Sequence, residues 1–448
     1  MLLLKLPFIT QSLPVLIPEL EWVLVGEKLN QDIPLYKGIL TEVGPFSALF
    51  YQMIDFWFGR NQLAYELFAY LIILIQSLFF VFITNNRQTF TERNYVPGLI
   101  YLLLMNISFD LSKPSPALLA LTFLLIALNI LLRQIESRTG VSDDVFEVGL
   151  FIGIATLFHL PSFPYILWAG ISLLFYTGVN LRQMFLVVLA FILPVFFTFL
   201  FFYFSDTSEA LKTVWLFNII TFSNLSFKGL DSIIIAYSVP LFFAVLGIFR
   251  VLRGNRYNSF QNRSHQIVIL FGIFAFVSLL LSNNFTPYNL CFLIPMLALF
   301  ISGFYLHMKG MFLPEVAFII FMLIILAIQF QGVRPFLGSG YDQLSNLKTK
   351  DIVIPEKLKG KTVLVTGERT DAYKNARMAT GYLNWNLSKS DLQHPNNYES
   401  VVNIYQNFKK DMPEVIFDNK KVIPKIFKAI PELEKKYEVH SKGVYVLK

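Results

Sequence analysis

Three carboxylates and three ammonium groups stand at or near the edges of apolar runs. Glu19 and Glu21, in PELEW, follow directly on an apolar N-terminal stretch, and Asp110 lies in SFDLSKPSP, a polar break further on. An acid at the boundary of hydrocarbon is costly unless solvated or paired, so it is a site candidate by default. Such a carboxylate can take the proton of a substrate hydroxyl. The alternative is structural: an interfacial acid that ends a helix for Glu19 and Glu21, a helix cap or turn acid for Asp110. Both readings stand at this point. Glu19 and Glu21 are two residues apart, so on a helix they do not share a face and only one points into a site. Lys37, Lys113 and Lys228 can meet a phosphate as point charges, or simply snorkel to the surface.

Other chemistry is excluded or secondary. Asp32 and Glu42 read as solvated loop acids, and His159 as a packed, hydrogen-bonded side chain. The five His are dispersed, without HxxxH or HExxH spacing, so no zinc site is expected. The one cysteine, Cys291, sits in an apolar run; it permits no internal disulfide or CxxC site and reads as a packing residue. Thr366-Gly367-Glu368 ends a strand-like run without the glycines and Lys of a phosphate loop.

The elements that must position these groups are mostly membrane helices. Hydrophobic residues make up 55% of the chain and charged residues 15%, with 47 Phe, a bias that suits lipid-facing surfaces. The net charge of +7 is scattered between apolar runs, unlike the basic face of a nucleic-acid binder. A helix needs about 20 apolar residues to cross hydrocarbon. Spans are predicted at 1–17, 64–84, 96–109, 115–132, 146–160, 162–178, 183–204, 232–252, 265–283, 287–306 and 311–331, about eleven in all. The pair at 146–178 can also be read as one broken helix, and the first span starts abruptly enough that part of it is missing on this reading. The N-terminus lacks the basic region and cleavage site of a secretory signal.

Orientation follows from the basic residues of short loops. With the N-terminus in the cytoplasm, the inner loops hold Arg87 and Arg93, Arg133 and Arg138, Arg182, the cluster Arg250, Arg253, Arg256 and Arg263, and Lys309. That cluster doubles as an anionic-lipid contact. An odd span count then sets the C-terminal part outside the cytoplasm, on the same side as Lys37, Lys113 and Lys228. The predicted layout is a transmembrane domain, 1–331, with a large first outer loop, 18–63; a linker, 332–360; and a small extracytoplasmic α/β domain, 361–448. Two outer segments, IPLYKGILTEVGPFSALFYQMIDFWFG and ALKTVWLFNIITF, are amphipathic and suited to lie in the membrane interface. In the C-terminal domain, strands are predicted at 361–368, 413–418 and 443–448, and helices at 369–383, 397–411 and 422–437, the last broken at Pro431.

The order of these features resembles the GT-C superfamily of membrane glycosyltransferases, in its dolichyl-phosphate-mannose and aminoarabinose transferase branch, as a divergent bacterial member. Four stretches carry the likeness: Pro18-Glu19-Leu20-Glu21-Trp22; Asp32 to Gly38 with Gly44-Pro45 and Phe58-Gly59; Gly149 to Leu157; and Pro413 to Asp418. The likeness spans most of the chain as an order of features, and no single motif is specific. It implies inverting transfer of a sugar from a polyprenyl-phosphate carrier to a lipid, glycan or protein acceptor on the outer face of the inner membrane. It implies Glu19 or Glu21, with Asp110, as catalytic acids, and Lys37, Lys113 and Lys228 as phosphate contacts. Glu19 and Asp110 can jointly bind a hydrated divalent cation, Mg or Mn. One departure matters: Pro18 stands where the family has the first acid of its pair. That favours a second hypothesis, a non-catalytic scaffold or assembly subunit of a cell-envelope complex, with cell-envelope proteins as partners. A transporter is the third, and the sequence lacks the paired, broken helices it would need.

Overall fold

The computed structural model describes residues 13–137, 142–216, 229–253, 257–282, 284–308, 312–333, 344–350 and 360–448. In chain order its helices are α1 (Ile17–Asn30), α2 (Pro45–Phe58), α3 (Gln62–Asn86), α4 (Val96–Leu104), α5 (Pro116–Ser137), α6 (Ser142–Phe158), α7 (Tyr165–Tyr176), α8 (Leu181–Phe204), α9 (Leu230–Arg253), α10 (Ser259–Leu280), α11 (Ile294–Leu306) and α12 (Leu313–Val333). Then follow β1 (Thr362–Thr366), β2 (Arg377–Met378), α13 (Trp385–Gln393), α14 (Tyr398–Lys410), β3 (Val415–Asp418), α15 (Ile423–Ala429), α16 (Pro431–Lys436), β4 (Tyr437–Ser441) and β5 (Val444–Leu447).

Two units can be distinguished. The first comprises the described residues of Gln62–Phe199 and Leu225–Asn346 together with Leu13. Among the described residues, seven stretches are long and apolar enough to cross a membrane: α3, α5, α8, α9, α10, Pro287–Leu306 and α12. Their outer surfaces carry large apolar side chains with nothing over them, Phe185 and Phe201 of α8 being 75% and 68% exposed. In water such a surface would be a liability; in lipid it is the favoured one. The chain is a multi-pass membrane protein.

Packing inside this unit depends on small residues. A Cβ on Gly149 would lie 2.2 Å from the Val187 carbonyl oxygen, and one on Gly153 2.4 Å from that of Phe191. The Gly149–Gly153 spacing thus lets α6 rest directly on the α8 backbone, the small-xxx-small device of membrane helices. Elsewhere buried aromatics reach helix carbonyls: Tyr165 and Trp168 of α7 donate to Phe271 and Ile267 of α10, at 3.2 and 3.1 Å.

Several predicted spans differ in detail. Residues 1–12 of the first lie outside the described residues, and α1 begins only at Ile17. The third yields the nine-residue α4, about 14 Å long and too short to cross alone; the polar run from Asn106 ends it. The pair at 146–160 and 162–178 does form two helices as read, α6 and α7, parted by a 3-10 turn at Leu160–Ser162 where Pro161 and Pro164 interrupt the backbone ladder.

The second unit joins three pieces of chain: the described parts of Pro14–Asn61, Leu200–Asn224 and Leu347–Lys448. Its sheet has the order β2-β1-β3-β5-β4, with β1 parallel to β2 and β3, and β5 antiparallel to β3 and β4. The fold class read from the sequence, a helical membrane protein with a small C-terminal α/β domain, is the one observed. Its apolar core gathers Leu364, Tyr382, Ile404, Phe408, Ile416, Ile426 and Phe427. Asp418, at the end of PEVIFD, accepts the Val422 and Ile423 N–H groups, each at 3.0 Å, and so caps α15. The helix predicted at 369–383 is instead a 3-10 turn, Asp371–Lys374, followed by β2. Pairing with β1 overrides the local pattern there, and Thr380 turns the chain at φ +64°. The strand β4 takes residues from Tyr437 that the helical reading of 422–437 had reached.

The segment read from the sequence as the first long loop, up to Asn61, is built into this unit. The rings of Trp22 and Tyr51 stack at 5.9 Å between α1 and α2. Leu40 donates to the Gly381 carbonyl at 2.8 Å, and Asn384 returns a bond to the Leu40 carbonyl at 3.1 Å. Arg60 bonds Glu27 and donates to the carbonyls of Tyr373 and Ala376 at 2.8 and 3.0 Å. Residues 210–216 of the second predicted interfacial stretch, 210–222, are helical; 217–222 lies outside the described residues.

Candidate functional site

Pro18 sits in the first turn of α1, where a missing N–H costs nothing. Glu19 follows it, buried, and its carboxylate accepts the Leu16 backbone N–H at 3.3 Å. An acid here satisfies an orphan donor and complements the helix dipole. Geometry therefore gives Glu19 a structural task at the helix start.

Glu21 points elsewhere, as its two-residue spacing from Glu19 requires. It is only partly buried. Its Oε1 accepts the Thr41 hydroxyl at 2.8 Å and the Asn384 side-chain amide at 3.5 Å. Asn384 in turn caps α13 by accepting the Asn386 N–H at 3.0 Å, which fixes its amide. Burial pushes the Glu21 carboxyl up from its ordinary 4.5 to about 7, and the Glu42 carboxylate beside it adds to this. Bonds from Thr41, Asn384 and the Glu42 backbone amide pull the other way. The net effect of burial and the neighbouring Glu42 is a carboxyl raised to about 7.

Asp110 and Lys113 of the membrane unit are engaged internally. Asp110 lies in a 3-10 turn, Phe109–Ser112, and is fully buried. It accepts the Ser108 hydroxyl and, at 2.9 Å, the Tyr288 N–H at the start of the 3-10 turn Pro287–Leu293. Burial raises its carboxyl to about 6, against the lowering effect of those two bonds. Lys113 is buried too, and its Nζ lies 2.8 Å from Glu66 Oε1, which also accepts from Gln62 at 2.9 Å. A buried pair of this kind holds α3 to the turn rather than offering a charge to a ligand. Lys37 is exposed and meets Asp206 at 3.5 Å. Lys228 lies outside the described residues.

Among the described residues no group of three or more His, Cys, Asp or Glu side chains could hold a metal ion. Glu19 belongs to the second unit and Asp110 to the first, and each accepts a backbone N–H.

Sequence reasoning missed Thr41, Asn384 and Glu66. Glu66 carried a signal: a lone acid within an apolar span calls for a buried partner. Asn384 carried none, because it meets Glu21 from 363 positions away.

No family model matches the sequence, and no curated protein matches it. Solved structures of an Archaeoglobus fulgidus oligosaccharyltransferase do resemble its fold. One, tethered to an acceptor peptide containing the NVT sequon, is 10% identical with a TM-score of 0.48, covering 95% of this chain and 69% of that chain. The apo form is 11% identical with a TM-score of 0.48, covering 90% and 66%. A third, the archaeal oligosaccharyltransferase AglB with an inhibitory peptide and a dolichol-phosphate, is 11% identical with a TM-score of 0.46, covering 97% and 70%.

Proposed function

We propose that this chain is a membrane glycosyltransferase that moves a sugar from a polyprenyl-phosphate carrier to a lipid, glycan or protein acceptor at the outer face of the inner membrane. The observation that carries the reading is Glu21: a partly accessible carboxyl, held by Thr41 and Asn384, that titrates near neutrality. In the proposed step the acceptor hydroxyl attacks the anomeric carbon as the bond to the carrier phosphate breaks. Glu21 takes the hydroxyl proton, the lipid phosphate leaves with the bonding electrons, and one displacement inverts the anomeric centre. Multi-pass architecture supplies the lipid-facing surface such a carrier needs, and the sequence resemblance to the GT-C superfamily supports the same reaction class. The concentration of Arg and Lys in alternate loops supports a cytoplasmic N-terminus and an extracytoplasmic C-terminal domain.

A second reading keeps a specific observation. Pro18 replaces an acid at the family position, and Glu19 and Asp110 serve backbone amides. A non-catalytic scaffold of a cell-envelope complex would look this way at those three positions. Replacing the chromosomal copy by Glu21→Gln separates the two. The transferase reading expects a surface glycan or glycoprotein band to disappear at normal protein level; an unchanged glycan profile favours the scaffold.

A further inference from the structure

We propose that a cleft in the second unit binds the anionic group of an acidic sugar, a phosphate or a carboxylate. Its volume is about 520 Å³, within the range of small-ligand sites. One wall comes from the end of α1 and the turn after it; the other comes from β2, the turn at Thr380-Gly381 and the end of α14. Three cations, Lys28, Arg377 and Lys410, line it against one carboxylate, Asp411. That carboxylate is already committed. Lys28 is buried with its Nζ 2.9 Å from Asp411 Oδ2, and the same oxygen accepts the Thr380 N–H at 3.0 Å. Asp411 thus neutralises Lys28 and holds Thr380 at its left-handed φ of +64°, a strain that persists only where surrounding structure enforces it.

Arg377 and Lys410 remain. Both are exposed, and neither has an ion-pair partner among the described residues. An Arg fork matches the paired oxygens of a phosphate or carboxylate, and a Lys adds a point charge. Gln31 and Asn407 contribute amide groups that suit sugar hydroxyls. No aromatic ring lines the cleft, so a neutral sugar finds no stacking face and the charged group dominates recognition. The saccharide part of this proposal rests on the transferase reading; the anion part does not.

Binding to the purified full-length chain, measured by saturation-transfer NMR without any lipid donor, tests it apart from catalysis. The probes are glucose 1-phosphate, glucuronate and glucose. Both anionic sugars should bind, glucose roughly tenfold more weakly or not at all, and added salt should weaken the charged probes. The tighter of the two anions identifies phosphate or carboxylate as the natural group. Arg377→Glu with Lys410→Glu should lower both affinities by at least about tenfold, while Arg377→Lys retains part of the binding. An unchanged melting temperature in the double variant keeps the comparison valid, and these surface positions carry no packing. Equal binding of glucose, or undiminished binding of the anions to the folded double variant, overturns the proposal. Loss of transfer in Glu21→Gln with anion binding intact would leave it standing.

Discussion

On the proposed transferase reading, Glu21 should couple activity and stability to pH with opposite signs. Its carboxyl is raised to about 7 in the folded protein from an ordinary 4.5. The ionised form accepts the proton, so transfer should rise with pH through about 7 and level off above it. Stability should move the other way. Between these two values the folded protein binds more protons at Glu21 than the unfolded one, so stability falls as pH rises through that window. Glu21→Gln should remove both dependences, and Thr41→Val, which deletes a bond to the carboxylate, should move the activity inflection upward. Glu19→Gln should keep transfer near wild type and lower stability by about 0.5–1 kcal/mol through a weakened helix start. A pH-rate series beside thermal melts of these variants checks all three. The residues of PELEW were legible in the sequence as a pair of which only one member could face a site, and the sequence favoured Glu19. The proposal rests on Glu21 instead, because Glu19 is held by the Leu16 N–H and Glu21 meets Asn384, which lies far along the chain.

Among the elements, helix contacts rest on two devices, buried ion pairing and absent side chains. Lys113→Met should destabilise the protein by about 3–5 kcal/mol, because it leaves Glu66 charged and unpaired in the interior; adding Glu66→Gln should recover much of that loss in a detergent melt. Gly153→Leu should part α6 from α8, whose Phe191 carbonyl lies where a Cβ would stand, at a cost of about 1–3 kcal/mol or more. The long spans were legible because length and hydropathy suffice for them. The broken region around Asn106 was not, since α4 ends short to form a buried polar turn around Asp110 and Lys113. Likewise β2 was invisible: two residues pair only because β1 offers an edge.

At the scale of the whole molecule, the C-terminal domain and the first outer loop belong to one unit, so the topology of one sets that of the other. Cys291 is the sole cysteine and is buried, which makes Val439→Cys a clean reporter on the exposed β4. A membrane-impermeant maleimide should label it in cells with an opened outer envelope but an intact inner membrane. Labelling only after the inner membrane is broken would invert the proposed orientation. The central claim is chemical, and the most direct measurement is transfer itself. Purified protein in vesicles would be given a radiolabelled polyprenyl-phosphate sugar extract with a cell-envelope acceptor fraction. Label should leave the lipid phase for the acceptor with wild type and with Glu19→Gln, and stay in the lipid with Glu21→Gln. Label that stays in the lipid with wild type, or transfers equally with Glu21→Gln, would contradict the account.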